Sequence, residues 1–592
     1  MQSSESSLES ASPFMITSRS VIVDHERTSD SPIIDKVQRV VWRSTLLASL
    51  HCRPSACVVL PRRFMRTISP DEATTGKQTT ASTTSTPSRQ TTMAQATTGA
   101  AAPTEALAFC DFVNVAPTPF HAVAEGVKML EAAGFVRLKE GHSWETSEPR
   151  VKRGGKYYVT RNASSIVAFA VGEAYKPGNG FSIVGCHTDS PCFKIRPVSK
   201  ADKSGFASVA CETYGGGLFH TWLDRDLGIA GRVVVSDSST SKSDSGYTSH
   251  LVNIARPVIR IPTIAIHLER TQNETFKYNL ETEMVPIIGM VDKTLNAPVP
   301  TTATAAQPTN PLDLSAHHQP MLLSLLATSL SEITGKTIEP QQIHDFDLSL
   351  YDVQPSVVGG ALNEYIFSAR LDNLFSSFAA LTGLAQGTAS ASSLSSQEDV
   401  KMIALWDNEE IGSVSAYGAM SNFLESILHR VASTLAVEGE VKDHTVVHTT
   451  LANSYLLSCD MGHSIHPGYP QKHQANHAPL INAGPAIKTN ANQRYASTAQ
   501  TIFLLRRVAA LAEPAVPLQE YEVRNDMGCG STIGPLVSRL GIRTVDIGCP
   551  QLSMHSVRET GGSKDIGSLI RLFETFFRHF RAVDRSFVTA ET

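Results

Sequence analysis

The rhythm of hydrophobic and polar positions divides the chain into four stretches. In TEALAFCDFVNVAPTPFHAVAEGVKMLEAAGF, residues 104–135, apolar side chains recur every three or four positions. That spacing predicts two helices, broken at the Pro117–Pro119 turn. KYYVTRN, SSIVAFAVG and FSIVGCHTDS follow as predicted strands, the last ending in a polar cluster. From about 191 to 365 the pattern is β-rich (VVVSD, HLVNI, VIRIPTIAIHL), with loops such as LNAPVPTTATAAQPTNP. From 366 onward strands and helices alternate again: YIFSARLDNLFSSFAALTGLAQ, VKMIALWDNEE, SYLLSCDMG, RTVDIGCP and a final helix IGSLIRLFETFFRHF. The stretch GTASASSLSSQED (387–399) reads as a solvated loop.

Alternation of this kind predicts an α/β fold: a mixed, mainly parallel sheet flanked by helices. The β-rich middle interrupts it. The expected organisation is therefore one domain from 104–190 plus 366–592, with a second, 191–365, inserted within it.

Residues 1–103 differ in kind. They are rich in Ser, Thr and Ala and contain three aromatics, Phe14, Trp42 and Phe64. Such a composition cannot bury enough apolar surface to offset the entropy of ordering, which predicts a disordered extension. Within it, IDKVQRVVWRSTLLA sets Ile34, Val37, Val41 and Ala48 on one helical face and Lys36, Arg39 and Arg43 opposite. Two readings stay open: a targeting element, to an organelle, or an upstream extension with Met93 as the effective start.

The 592-residue chain carries a formal net charge of −5, which offers no general attraction to nucleic acid or anionic lipid. No apolar run reaches the roughly 18 residues needed to span a bilayer, so no membrane partner is expected. Nine cysteines without a CxxC pair argue against a disulfide framework and against a thiolate zinc site, and suit a reducing, cytoplasmic compartment.

The remaining chemistry gathers at predicted strand ends, where open α/β sheets bind ligands. HTDSP offers His187 and Asp189 on one side of a strand end, RLDNL offers Asp372, SCDMG offers Asp460 and MHSVRE offers His555. Taken singly, these read as a surface hydrogen bond, two helix caps and a core histidine. The sequence ALWDNEEIGSVSA changes the weighting, because it sets Glu409 directly before Glu410, two residues after Asp407. Adjacent residues at a strand end point in different directions and cannot share one job. One glutamate can ligate a divalent ion while its neighbour accepts a proton from water. Two histidines and several carboxylates, without thiolates, suit a hydrolytic zinc or manganese centre, and a shared carboxylate suits two ions about 3.5–4 Å apart.

HTDSP, YGGG…TWLDRDL, RLDNL, DNEEIGS, CDMGHSIHPGYPQKHQANHAPLINAGPAIK and MHSVRE, in this order, resemble the aspartyl aminopeptidases of metallopeptidase family M18. The resemblance covers residues 105 to 585; His220 stands where other members often carry a small residue. It implies a zinc-exopeptidase-like fold with the inserted domain making dimer contacts. It also implies two zinc ions per subunit, with manganese or cobalt as substitutes. His187, Asp372 and Asp460 would hold one ion, and Asp372, Glu410 and His555 the other. Glu409 would be the general base and Asp189 the carboxylate behind His187. Lys488 would meet the acidic side chain of a peptide beginning with Asp or Glu. His267 would reach into a neighbouring subunit of a tetrahedral homododecamer. Among the clustered histidines, His463 and His466 are expected near Asp460 or at subunit contacts, and His473 and His477 in a hydrogen-bonded loop. The glycines of RNDMGCGSTIGP are expected to line the substrate pocket. An aminopeptidase of broader specificity, or a self-assembling cargo particle, are the competing readings.

Overall fold

In the computed structural model the described residues are 101–236, 246–291, 313–438 and 443–587. The extension at 1–100, with its basic amphipathic segment near Trp42, and the whole loop at 295–311 lie outside them.

A nine-stranded sheet forms the centre. Its spatial order is Val136–Arg137, Lys156–Arg161, Ser165–Val171, Val400–Trp406, Phe181–His187, Tyr455–Cys459, Arg543–Gly548, Ala486–Lys488 and Gln519–Tyr521. The four strands from Val400–Trp406 to Arg543–Gly548 run parallel to one another. They pair in register, so Trp406 lies opposite His187 and Ser458 opposite Gly185. Antiparallel partners flank this block on both sides, through Ser165–Val171 and Ala486–Lys488.

The strands SIVAFAV, FSIVGCH and VKMIALW are buried at every position, which follows from cover on both faces. Side chains alternate between two cores. Val184, Cys186, Ile403, Leu405 and Leu457 face the helices Thr104–Val115, Pro119–Ala132, Leu371–Gly387 and Asp565–Arg585. Ile183, Met402, Ala404 and Leu456 face Phe423–Glu438 and Ile533–Ser538 on the other side. The predicted break between the first two helices is found, with Pro119 opening the second.

The middle of the chain builds a six-stranded sheet whose paired neighbours all run antiparallel, in the order Tyr247–Ile259, Leu227–Ser236, Ile343–Asp352, Cys192–Lys203, Phe206–Tyr214, Ile287–Met290. It has its own core of Phe193, Val209, Ile229, Val233, Val252 and Leu350, closed by a helix Pro320–Thr334 through Leu322, Leu326 and Leu330. That helix departs from the β-rich pattern read for 191–365. Its leucines recur at the helical spacing, Pro320 occupies its first turn, and Gly335 ends it at φ 67°, so the local signals were complete. VIRIPTIAIHL departs the other way. The strand ends at Ile259, Arg260 makes one isolated bridge, and the chain turns through 266–268. Pro262 has no N–H to extend a ladder. In the 387–399 loop, Leu394 and Asp399 are buried, so that segment is solvated only in part.

A third, five-stranded sheet joins distant segments: Val357–Gly359, Tyr365–Ser368, Glu559–Gly562, Pro550–Leu552 and Gly462–His463. It brings the chain before Asp372 beside the chain after His555. No helix among the described residues is long and apolar enough to cross a membrane.

Candidate active site and metal centre

Three neighbouring parallel strands deliver most of the site. His187 ends Phe181–His187, Asp460 follows Tyr455–Cys459, and Glu409 and Glu410 sit in the turn after Val400–Trp406. Asp372 lies at the start of Leu371–Gly387, at a non-helical kink (φ −82°, ψ 104°). His555 arrives from the loop before Glu559–Gly562 with φ 66°, in the left-handed region.

These residues converge as two groups that share one member. His187 Nε2 lies 3.2 Å from Asp372 Oδ1 and 3.3 Å from Asp460 Oδ1. His555 Nε2 lies 3.5 Å from Asp372 Oδ2 and 3.3 Å from Glu410 Oε2. The two oxygens of Asp372 thus face two different ligand sets, each with its ligand atoms within 4.8 Å of one another. Four ligands about 2.0–2.1 Å from a central zinc would stand about 3.4 Å apart, which matches these spacings. Buried Asp372 Oδ1 and Glu410 Oε1 accept no hydrogen bond among the described residues. Leaving such oxygens unsatisfied is costly unless a cation meets them. The donor set, two imidazoles and three carboxylates, fits zinc.

Electrostatics agree. Burial above all raises Glu409, and with His187 opposing and Asp460, Asp189 and Asp372 adding, the carboxyl ends at about 8. Burial, with Asp372 adding, holds Glu410 well above the ordinary carboxylate range. Burial alone would lower His187, but Asp189, Asp372 and Asp460 outweigh it and hold the imidazole well above its usual value. This is a pocket of excess negative charge, which protons or metal cations can neutralise.

The glutamate pair diverges as expected: Glu410 faces His555, while Glu409 Oε2 lies 3.9 Å from His187 Nε2 and belongs to neither ligand group. The turn that spreads them needs left-handed backbone at Asn408 (φ 65°) and Gly412 (φ 97°). Asp189 anchors it. Its Oδ1 accepts the Glu409 N–H and its Oδ2 the Glu410 N–H, both at 3.1 Å, and Oδ2 also accepts from Tyr214 Oη at 2.7 Å. Asp189 Oδ1 lies 3.4 Å from His187 Nδ1, but the hydrogen-bond geometry there belongs to the Asp189 backbone oxygen, at 3.1 Å. Asp189 therefore braces the glutamates as well as standing behind His187. His555 Nδ1 pairs with the Gly216 carbonyl at 3.0 Å, which orients the other ring nitrogen toward the carboxylates. Asp407 accepts the N–H of Asn408 at 2.8 Å, a hydrogen bond within the turn.

A cavity opens over the two groups, lined also by Met461, His463, Lys488, Tyr495, Tyr521, Gly530, Ser531 and Thr532. Lys488 is buried; its Nζ donates to the Met461 carbonyl at 2.7 Å and to Asp460 Oδ2 at 3.3 Å, and lies 5.5 Å from the Tyr495 ring centroid. His463 lines the cavity, whereas His466, His473 and His477 bond within their own loop. His267 is exposed and is not among the residues lining this cavity. Nothing in the local sequence around Tyr495 and Tyr521 marks them as site residues, and Tyr214, the first residue of YGGG, carries no role that the sequence alone assigns. Gly548 had a signal only in space: a Cβ there would fall 1.7 Å from the Asp460 carbonyl oxygen.

The chain is also similar to known proteins along most of its length. The family model described as aminopeptidase I zinc metalloprotease (M18) matches residues 112–577. The curated aspartyl aminopeptidase of Aspergillus oryzae is 47% identical over 492 residues, covering 80% of this chain and 96% of its own. A cryo-EM structure of an Ape4 and Nbr1 complex superposes with a TM-score of 0.76 at 42% identity, covering 82% of this chain and 88% of that one. The dodecamer of S. cerevisiae mApe1 superposes with a TM-score of 0.67 at 30% identity, covering 81% and 98%. Matched along most of its length by relatives of one kind, this chain belongs to the M18 family of zinc metalloproteases and is a metallo-aminopeptidase.

Proposed function

We propose that this enzyme removes an N-terminal Asp or Glu from peptides at a dinuclear zinc centre. His187, Asp372 and Asp460 would hold one ion and Asp372, Glu410 and His555 the other, with manganese or cobalt able to substitute. The observation that carries the reading is the two-sided Asp372, whose oxygens meet two separate ligand sets. When bound, the ions supply Lewis acidity, lowering the pKa of a water from about 15.7 toward neutrality and polarising the peptide carbonyl. Glu409, beside His187 but in neither ligand group, takes the proton of the attacking water. It returns that proton to the leaving amine. Asp189 keeps Glu409 and Glu410 on their separate tasks by holding both their N–H groups.

The name of the Aspergillus relative supports acidic specificity. So does Lys488, a buried cation at the cavity wall. Because Lys488 also holds Asp460, its replacement will slow every substrate, and the informative quantity is a ratio. In Lys488→Met, kcat/KM for an Asp-initiated peptide should fall at least tenfold more than for a Leu-initiated one, the scale of one lost charged hydrogen bond. Metal content and both turnovers of the purified wild type test the parent reading. Equal rates on Asp and Leu would leave an aminopeptidase of broad specificity.

Further, we infer that the six-stranded sheet unit, residues 191–365, is an inserted dimerisation domain within a homododecamer. The mApe1 dodecamer supports the assembly, and exposure of His267 supports a role outside its own protomer. Assembled in mixture, His267→Ala and Glu409→Ala subunits should regain activity above the sum of the separate preparations, because one supplies the histidine and the other the base. No regain would place His267 outside the neighbour's site.

A further inference from the structure

Glu559 begins a strand of the five-stranded sheet, where its Cα pairs with that of Ser368. It is 3% exposed. Its Oε1 accepts the backbone N–H of His555 at 2.8 Å and an N–H of the Gln551 amide at 3.3 Å. Its Oε2 accepts the backbone N–H of Asp372 at 3.1 Å. These partners are neutral, and two of them are the main chain of residues that face each other across the site. Neither of those residues sits in regular structure. Asp372 interrupts a helix start, and His555 holds a left-handed conformation that a β-carbon disfavours. Such backbone persists only when its surroundings over-determine it.

We propose that Glu559 is a positioning residue: a single buried carboxylate that fixes the spacing between Asp372 and His555 and so sets the affinity of the ion they share with Glu410. The assignment rests on the metal-centre reading above. Burying a carboxylate against neutral donors is expensive, and a hydrophobic residue would fill the same space at less cost. What a hydrophobic residue could not do is accept an N–H from each of two distant segments at once. Glu559 performs for Asp372 and His555 what Asp189 performs for Glu409 and Glu410. Two buried acids, neither among the proposed ligands, thus tie down the main chain of three ligating residues and the base.

Equilibrium zinc titration of the full-length apo-protein against a competing chromophoric chelator tests this. Glu559→Gln turns one accepting oxygen into a donor facing an N–H, so one of the two sites should weaken by about 10–100-fold, the range for outer partners of metal ligands. The other site should change far less, and the thermal unfolding of the apo-protein should stay near wild type. Glu559→Asp keeps the charge but shortens the reach, and should give an intermediate loss at the same site. Wild-type affinity at both sites in either folded variant overturns the proposal. So does an equal loss at both sites that tracks a fall in apo stability, because that is the mark of a merely structural residue. A wild-type chain that takes up no zinc removes instead the metal-centre reading beneath it.

Discussion

Glu409→Ala should bind zinc as the wild type does and yet turn over its best peptide roughly two to four decades more slowly, the usual reach of general acid–base catalysis. The separation of the two readouts follows from placement. Glu409 lies near His187 but contributes to neither ligand group, so its removal leaves both coordination sets whole. Its main-chain N–H to Asp189 survives the substitution, which keeps Glu410 in place. Steady-state kinetics beside elemental analysis of the same preparation decide the point. Turnover near wild type would remove Glu409 as the base, and loss of zinc would make it a ligand.

Asp372→Asn is expected to have the opposite signature. Its carboxylate is the one shared member of the two groups, with Oδ1 toward His187 and Oδ2 toward His555. An amide preserves shape and the N–H bond to Glu559, but it presents one oxygen and one NH₂ where two oxygens stood. Zinc content should fall by at least one ion per chain, and activity by about 10³ or more, since the electrostatic stabilisation of the reaction goes with the metal. A variant that keeps two ions and most of its rate would show that Asp372 does not bridge.

Much of this arrangement was legible from residue order, for reasons that differ between fold and site. The central strands are unbroken apolar runs ending abruptly in polar residues, as in FSIVGCHTDS, so both the buried sheet and the edge where His187 appears could be read. Glu409 and Glu410 betrayed themselves by crowding. The helix Pro320–Thr334 is masked by its β-rich neighbourhood, although its own leucines have helical spacing. Partners that act through the main chain left no trace of another sort. Asp189 grips N–H groups some 220 positions away, Glu559 one that is 187 away, and neither pattern nor composition encodes such contacts. The Gly548 requirement likewise arises from the approach of a second strand end.

The ordering of the strands has a further consequence for how the enzyme comes into being. Phe181–His187 is flanked by one segment beginning at Val400 and another at Tyr455, while His555 waits on a sheet completed only by the last part of the chain. A fragment that stops short of His555 therefore lacks one member of the proposed ligand set. On the proposed ligand set, competence to cut peptides arises only once residues from 181 to 555 have been made and paired, so cutting and folding become a single event.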